Sequence, residues 1–100
     1  AMLIHFNSPV GEFTMHGDVA IQLLKMMGHS GTVPSAILAA DIPAALARLR
    51  DALQHAPPPP PPKNDEEERE YVPIQRRAVP FIELLQNAAR DDADVMWDRV

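Results

Sequence analysis

The chain contains no cysteine. No disulfide or thiolate metal site can therefore stabilise it, no thiol nucleophile can act in it, and its redox compartment is left open. No segment approaches the roughly 18 continuous apolar residues of a membrane span. The start also lacks a basic region followed by an apolar stretch, so a cytoplasmic protein, neither exported nor inserted in a membrane, is expected. Ala1, ahead of Met2, reads as a residue left by tag removal and is set aside. Aromatic residues make up only 5% of the chain, which leaves few large side chains to spare from a core. A basic face is missing too. The net charge is −5, and the segments 1–56 and 71–100 each net −1 while 57–70 carries the remaining −3. Nucleic acid as a partner finds no electrostatic footprint here.

What the chain does contain is a run of six prolines, Pro57–Pro62, leading into Lys63-Asn64-Asp65-Glu66-Glu67-Glu68-Arg69-Glu70. This run divides 56 residues from the last 30, and a segment below about 40 residues rarely folds without staples. One domain over 1–100, with 57–70 as an internal Pro-rich, acidic linker, is the expectation. Six residues of polyproline II span about 19 Å, enough to cross a domain whose radius of gyration is near 13 Å. The strut can return residues 71–100 to their own chain, or hand them to a second copy in a homodimer that exchanges this segment.

Period-two alternation in Leu3-Ile4-His5-Phe6-Asn7, the turn-like Ser8-Pro9-Val10-Gly11, and Phe13 with Met15 predict a β-hairpin. Val19, Ala20, Leu23, Leu24 and Met27 are spaced as one helical face, with Asp18 as N-cap and Gly28 as a left-handed terminator. A third strand is expected within Val33–Ala39, opened by Pro34. Asp41 then caps a second helix with Pro43 in its first turn and Ile42, Ala45, Leu46, Leu49, Ala52 and Leu53 inward. Beyond the linker, Ile74, Ala78, Phe81, Leu85 and Ala88 form a helical face reading through Pro80. The Pro80 ring would meet the Arg76 carbonyl in a continuous helix, so the regular part starts near Ala78 and ends around Arg90. Val95-Met96-Trp97 is the last strand, with its pairing partner in the first half. The fold class is α/β in the α+β sense: a two-layer sandwich of a small mixed sheet of about four strands with three helices, ordered β-β-α-β-α-linker-α-β.

The stretch Met15-His16-Gly17-Asp18-Val19-Ala20-Ile21-Gln22-Leu23-Leu24-Lys25-Met26-Met27-Gly28-His29-Ser30-Gly31-Thr32-Val33-Pro34, continued by Asp41-Ile42-Pro43-Ala44-Ala45-Leu46, resembles a family of small proteobacterial proteins, domain of unknown function 1840. The resemblance resumes at Gln75-Arg76-Arg77-Ala78-Val79-Pro80-Phe81-Ile82-Glu83-Leu84-Leu85 and at Val95-Met96-Trp97-Asp98. It implies a bacterial cytoplasmic protein and brings no activity, cofactor or catalytic residue with it.

Gly28-His29-Ser30-Gly31-Thr32 is the most site-like loop: its glycines allow close backbone approach, while an imidazole and two hydroxyls offer hydrogen bonds. It fits neither a nucleophile elbow nor a phosphate-binding P-loop, and a helix stop is the structural alternative. His5, His16, His29 and His55 show no helix-face metal spacing, although His16 lies two residues from Asp18. Asp91-Asp92-Ala93-Asp94 lacks the glycine and distant glutamate of a calcium loop and reads as a solvated helix end. Pro58, Pro61 and Lys63 match a PxxP ligand formally, but so would any proline run beside a lysine. Arg76 and Arg77 serve either the acidic run or a small anion.

Two functions follow. One is a non-enzymatic interaction or regulatory module acting through self-association or partner docking, with Met96 and Trp97 at the interface. The other is a small-ligand or anion-binding domain, or a weak enzyme, using His16, Gly28, His29, Ser30, Gly31 and Thr32. Neither reading assigns a catalytic residue, a metal or a cofactor.

Overall fold

The computed structural model describes residues 2–57, 63–66 and 72–100. Most of the expected linker, with its PxxP motif, lies outside those residues. Strand β1 (Leu3–Ser8) turns through Pro9 and Val10 into β2 (Gly11–His16). No connecting residue separates β2 from helix α1 (Gly17–Met26), whose N-cap is His16. Asp18, expected to cap this helix, sits in its first turn instead. The reason is the strand: the chain runs straight from sheet to helix, and the Gly17 N–H is taken by the Met2 carbonyl at 2.8 Å. Strand β3 (Ser35–Ile37) is shorter than its apolar run, because Ala39–Asp41 already winds into a 3₁₀ turn leading to α2 (Ile42–Gln54).

After the linker come a single turn α3 (Ile74–Arg77), helix α4 (Val79–Arg90) and strand β4 (Val95–Arg99). The break at Ala78 is where Pro80 demands it, and the proline falls in the first turn of α4, where its missing N–H costs little.

The sheet order is β2-β1-β4-β3, and all three pairings are antiparallel rather than mixed. Strand β4 therefore fills the interior of the sheet, between β1 and β3. Alternation decides the faces. Ile4, Phe6, Val95 and Trp97 point to the helix layer and are buried, whereas Asn7, Met96 and Asp98 point outward and are exposed.

The helices bury Ala20, Leu23, Leu24 and Met27 from α1 and its cap, Ile42, Ala45, Leu49 and Leu53 from α2, and Phe81, Leu84, Leu85 and Ala88 from α4. These side chains join the strand residues in one cluster drawn from both sides of the prolines. The scarcity of aromatics is met by concentrating them. Phe6 lies 5.0 Å from Phe13, 4.9 Å from Phe81 and 5.8 Å from Trp97, ring centre to ring centre.

Two helix ends are closed in the same way. After α1, His29 N–H bonds the Leu24 carbonyl and Gly28 N–H the Lys25 carbonyl, around a left-handed Gly28 at φ 91°. After α4, Ala93 N–H bonds the Ala88 carbonyl and Asp92 N–H the Ala89 carbonyl, with Asp92 left-handed at φ 53°. The acids gathered there would oppose the α4 dipole. Arg90 pairs with Asp91 at 3.2 Å, and Asp94 accepts the Ala39 N–H at 2.8 Å, capping the turn that starts α2. Asp41 occupies the N-cap position of α2, as expected, but its side chain makes no capping bond.

Candidate functional site

The loop after α1 is built from bonds within itself and to the sheet. Gly31 N–H donates to His29 Nδ1 at 3.0 Å, so the neutral ring carries its proton on Nε2 and donates it to Ser35 Oγ at 3.2 Å. The Ser30 and Thr32 hydroxyls pair at 2.7 Å, and the Thr32 N–H reaches Ser30 Oγ at 3.4 Å. Trp97 anchors the loop from beneath. Its indole N–H donates to the Thr32 carbonyl at 2.9 Å, and its ring meets the His29 imidazole edge-on, centres 4.9 Å apart.

The loop residues predicted to bind a ligand are thus near one another, but their polar atoms largely serve each other. Ser30 and Thr32 are exposed, and His29 has both ring nitrogens occupied. His16 does not join them. It caps the far end of α1, and ten helical residues hold it about 15 Å away along the axis.

What sequence reasoning missed lies beside Gly28. A pocket of about 250 Å³ is lined by Gly28, His29, Ile37, Asp41, Ala45 and Arg48, among others. Asp41 and Arg48 are seven residues apart, two turns of helix, which puts both on the same side of α2. A Cβ placed on Gly28 would come within 2.9 Å of Arg48 Cδ, so the glycine lets the arginine stem cross the end of α1. Among the described residues neither the Arg48 guanidinium nor the Asp41 carboxylate has a hydrogen bond or ion pair. The periodicity of α2 reads Arg48 as solvated; only the packing of α1 on α2 brings it to Gly28.

The outward face of the sheet holds a larger, open depression of about 470 Å³, whose lining includes His5, Asn7, Pro34, Ala36, Met96 and Asp98. Its floor follows from the register: Met96 lies between Asn7 of β1 and Ala36 of β3, and Asp98 opposes His5. Met96 is 48% exposed, and Leu3, Leu38 and Val100 are exposed as well. Both interface residues expected from sequence border this depression, Met96 with its side chain 48% exposed and Trp97 only 2% exposed, its ring packed in the core. His5 bonds Thr14 Oγ1 at 2.9 Å and lies 3.6 Å from the Glu12 carboxylate.

A family model described as a domain of unknown function, DUF1840, matches residues 2–97. The chain belongs to this family. No curated protein and no solved structure matches it. The match to DUF1840 spans the hairpin, the described helices and the first three residues of β4, so the pocket falls within the DUF1840 domain, as does the open face of the sheet up to Trp97, with Asp98 one residue beyond the match. Among the described residues no helix is long and apolar enough to cross a membrane, and no group of three or more metal-ligating side chains gathers. The half calcium loop is spent structurally, with Asp91 on Arg90 and Asp94 on Ala39. Arg77 donates to the Val72 carbonyl at 3.2 Å.

Proposed function

We propose that this protein is a non-enzymatic interaction module whose working surface is the outward face of the sheet. The observation that carries this reading is Met96, a large apolar side chain half exposed at the centre of an open depression in a sheet whose other face is covered by helices. Exposed apolar surface of this kind marks docking sites. Charge selects the partner. The outward strand positions include Glu12 and Asp98 and hold no lysine or arginine, so the complementary partner is a protein segment with an apolar anchor flanked by cationic side chains. The anchor seats on Met96 over Ala36, and the cations face the two carboxylates.

Amphipathic peptides carrying apolar anchors with lysine and arginine are expected to shift the backbone NMR signals of Asn7, Ala36, Met96 and Asp98. Met96→Asp places a charge where the anchor sits and is expected to weaken binding by about ten-fold or more. Equal binding of acidic peptides, or shifts confined to other surfaces, would overturn the reading.

A second reading, a small-anion site, is favoured by one observation: Arg48 lines the pocket beside Gly28 and His29 with its guanidinium unpaired among the described residues. If the pocket takes an anion, inorganic phosphate raises the Tm of the wild-type protein and leaves that of Arg48→Ala unchanged. An unchanged wild-type Tm, or a shift that survives the substitution, removes this reading. The alternative role for Arg48 is then electrostatic support of the α1 C-terminus.

A further inference from the structure

We infer that β2 pairs with β2 of a second copy of this chain, joining two four-stranded sheets edge to edge about a two-fold axis. This deepens the interaction reading by naming one partner, and it rests on the sheet edge, which shares Glu12 but not Met96 with the outward docking face.

The two edges of the sheet are unlike. Strand β3 is three residues long and follows Pro34, which makes it a poor template. Strand β2 is six residues long and pairs, among the described residues, with β1 alone. It carries no proline and no lysine, the residues that usually guard an edge.

The backbone polarity of β2 can be read from β1. The Val100 N–H bonds the Leu3 carbonyl at 3.1 Å, so the odd residues of β1 face β4 and its even residues, Ile4, Phe6 and Ser8, bond Met15, Phe13 and Gly11 of β2. The N–H and C=O groups of Glu12 and Thr14, and the N–H of His16, are therefore directed at the open edge.

A two-fold axis through Thr14 gives the self-complementary register. It places Thr14 opposite Thr14 of the second copy, Glu12 opposite His16 twice, and Phe13 opposite Met15 twice. The hydroxyls pair, a carboxylate meets an imidazole that donates to it in either protonation state, and an aromatic ring meets a thioether. Thr14 exchanges two backbone bonds with its counterpart, and each Glu12 carbonyl accepts a His16 N–H. The other registers lose these matches. An axis through Glu12 sets two carboxylates against each other, one through Phe13 leaves Glu12 opposite a threonine, and one through His16 shortens the overlap. On the helix side, Phe13 and Met15 are half-buried and border a depression of about 210 Å³ along the edge with Val19, Arg77 and Pro80. Their counterparts from the second copy would continue that apolar row.

Light scattering on the full chain is expected to give twice the chain mass of 11.1 kDa at high protein concentration. Thr14→Pro removes an N–H that makes no bond to β1, so circular dichroism should be retained while the dimer is lost. Glu12→Lys, which faces His16, is expected to weaken the dimer about ten-fold, and Glu12→Lys with His16→Glu to restore it. A wild-type monomer at the highest soluble concentration overturns the inference, as does a dimer unmoved by Thr14→Pro and by the charge exchange. Self-association through the outward face is told apart, because Met96→Asp would then dissolve the dimer. A monomer that still binds cationic amphipathic peptides would remove the dimer and leave the docking reading standing.

Discussion

Replacing Phe6 with alanine is expected to remove about 3–5 kcal/mol of folding stability, measured as a lower midpoint in urea at unchanged slope. The magnitude follows from position. β1 lies inside the sheet, between β2 and β4, and Phe6 is fully buried on its helix side. It contacts Phe13 in a stacked arrangement at 5.0 Å, and Phe81 and Trp97 at 4.9 and 5.8 Å. Truncation takes away the transfer energy of the ring and three aromatic contacts, each worth about 0.5–1.5 kcal/mol beyond its area. It leaves a hole where β2, β4 and α4 meet, and no other aromatic can move in, because Phe13, Phe81 and Trp97 are already committed to its walls. A domain of this size has about 5–15 kcal/mol in total, so Phe6→Ala is expected to populate unfolded chain near physiological temperature. A loss below about 1 kcal/mol would mean that the cluster rearranges freely, contrary to this packing.

The elements were legible in the sequence where one local rule governed them. The alternation of Leu3–Asn7 and of Phe13 with Met15 specified a hairpin, and the stripe from Ala78 to Ala88 specified the last helix. Pro80 fixed the start of that helix, since its ring excludes a continuous turn before it. What was not legible depended on contacts distant along the chain. Nothing local shows that β4 inserts between β1 and β3, because a pattern such as Val95-Met96-Trp97 defines a strand and its two faces but not its neighbours. Asp94 caps a turn 55 residues earlier, a bond no local pattern shows, while Asp41 holds the N-cap position its sequence context suggested but makes no side-chain bond there. Asp18 lost its role to the absence of any loop between β2 and α1.

The candidate sites divide along the same line. Glycine spacing marked the Gly28–Thr32 loop correctly as a turn, yet Thr32 contributes its carbonyl to the tertiary structure, and a backbone acceptor has no signature in residue type. Arg48 reads as an ordinary surface cation until α1 packs on α2. Met96 and Trp97 both border the open face of the sheet, but alternation separates their side chains. A single strand cannot bury both on one face, and the larger side chain went to the core.

The contact between Trp97 and the loop yields the second large effect. Trp97→Phe preserves an aromatic ring in the core but removes the indole N–H, leaving the partly buried Thr32 carbonyl without its donor at 2.9 Å. The unpaired acceptor costs about 1–3 kcal/mol, and the smaller ring adds to this through imperfect filling of the site. Unlike the loss at Phe6, this one has a local component. Thr32 is tied to Ser30, Gly31 to His29, and His29 to Ser35 on β3, so releasing the carbonyl loosens a chain of short bonds whose other anchor is the three-residue edge strand. Amide exchange in residues 29–37 is therefore expected to accelerate more than exchange in β1 or α4, whose opening reports global stability. Uniform acceleration across all elements would show that the indole bond supports the fold without holding the loop. Accelerated exchange confined to the loop would identify Trp97 as the link between the sheet and the pocket at Gly28, because the backbone that carries His29 into the pocket is the backbone that Trp97 holds.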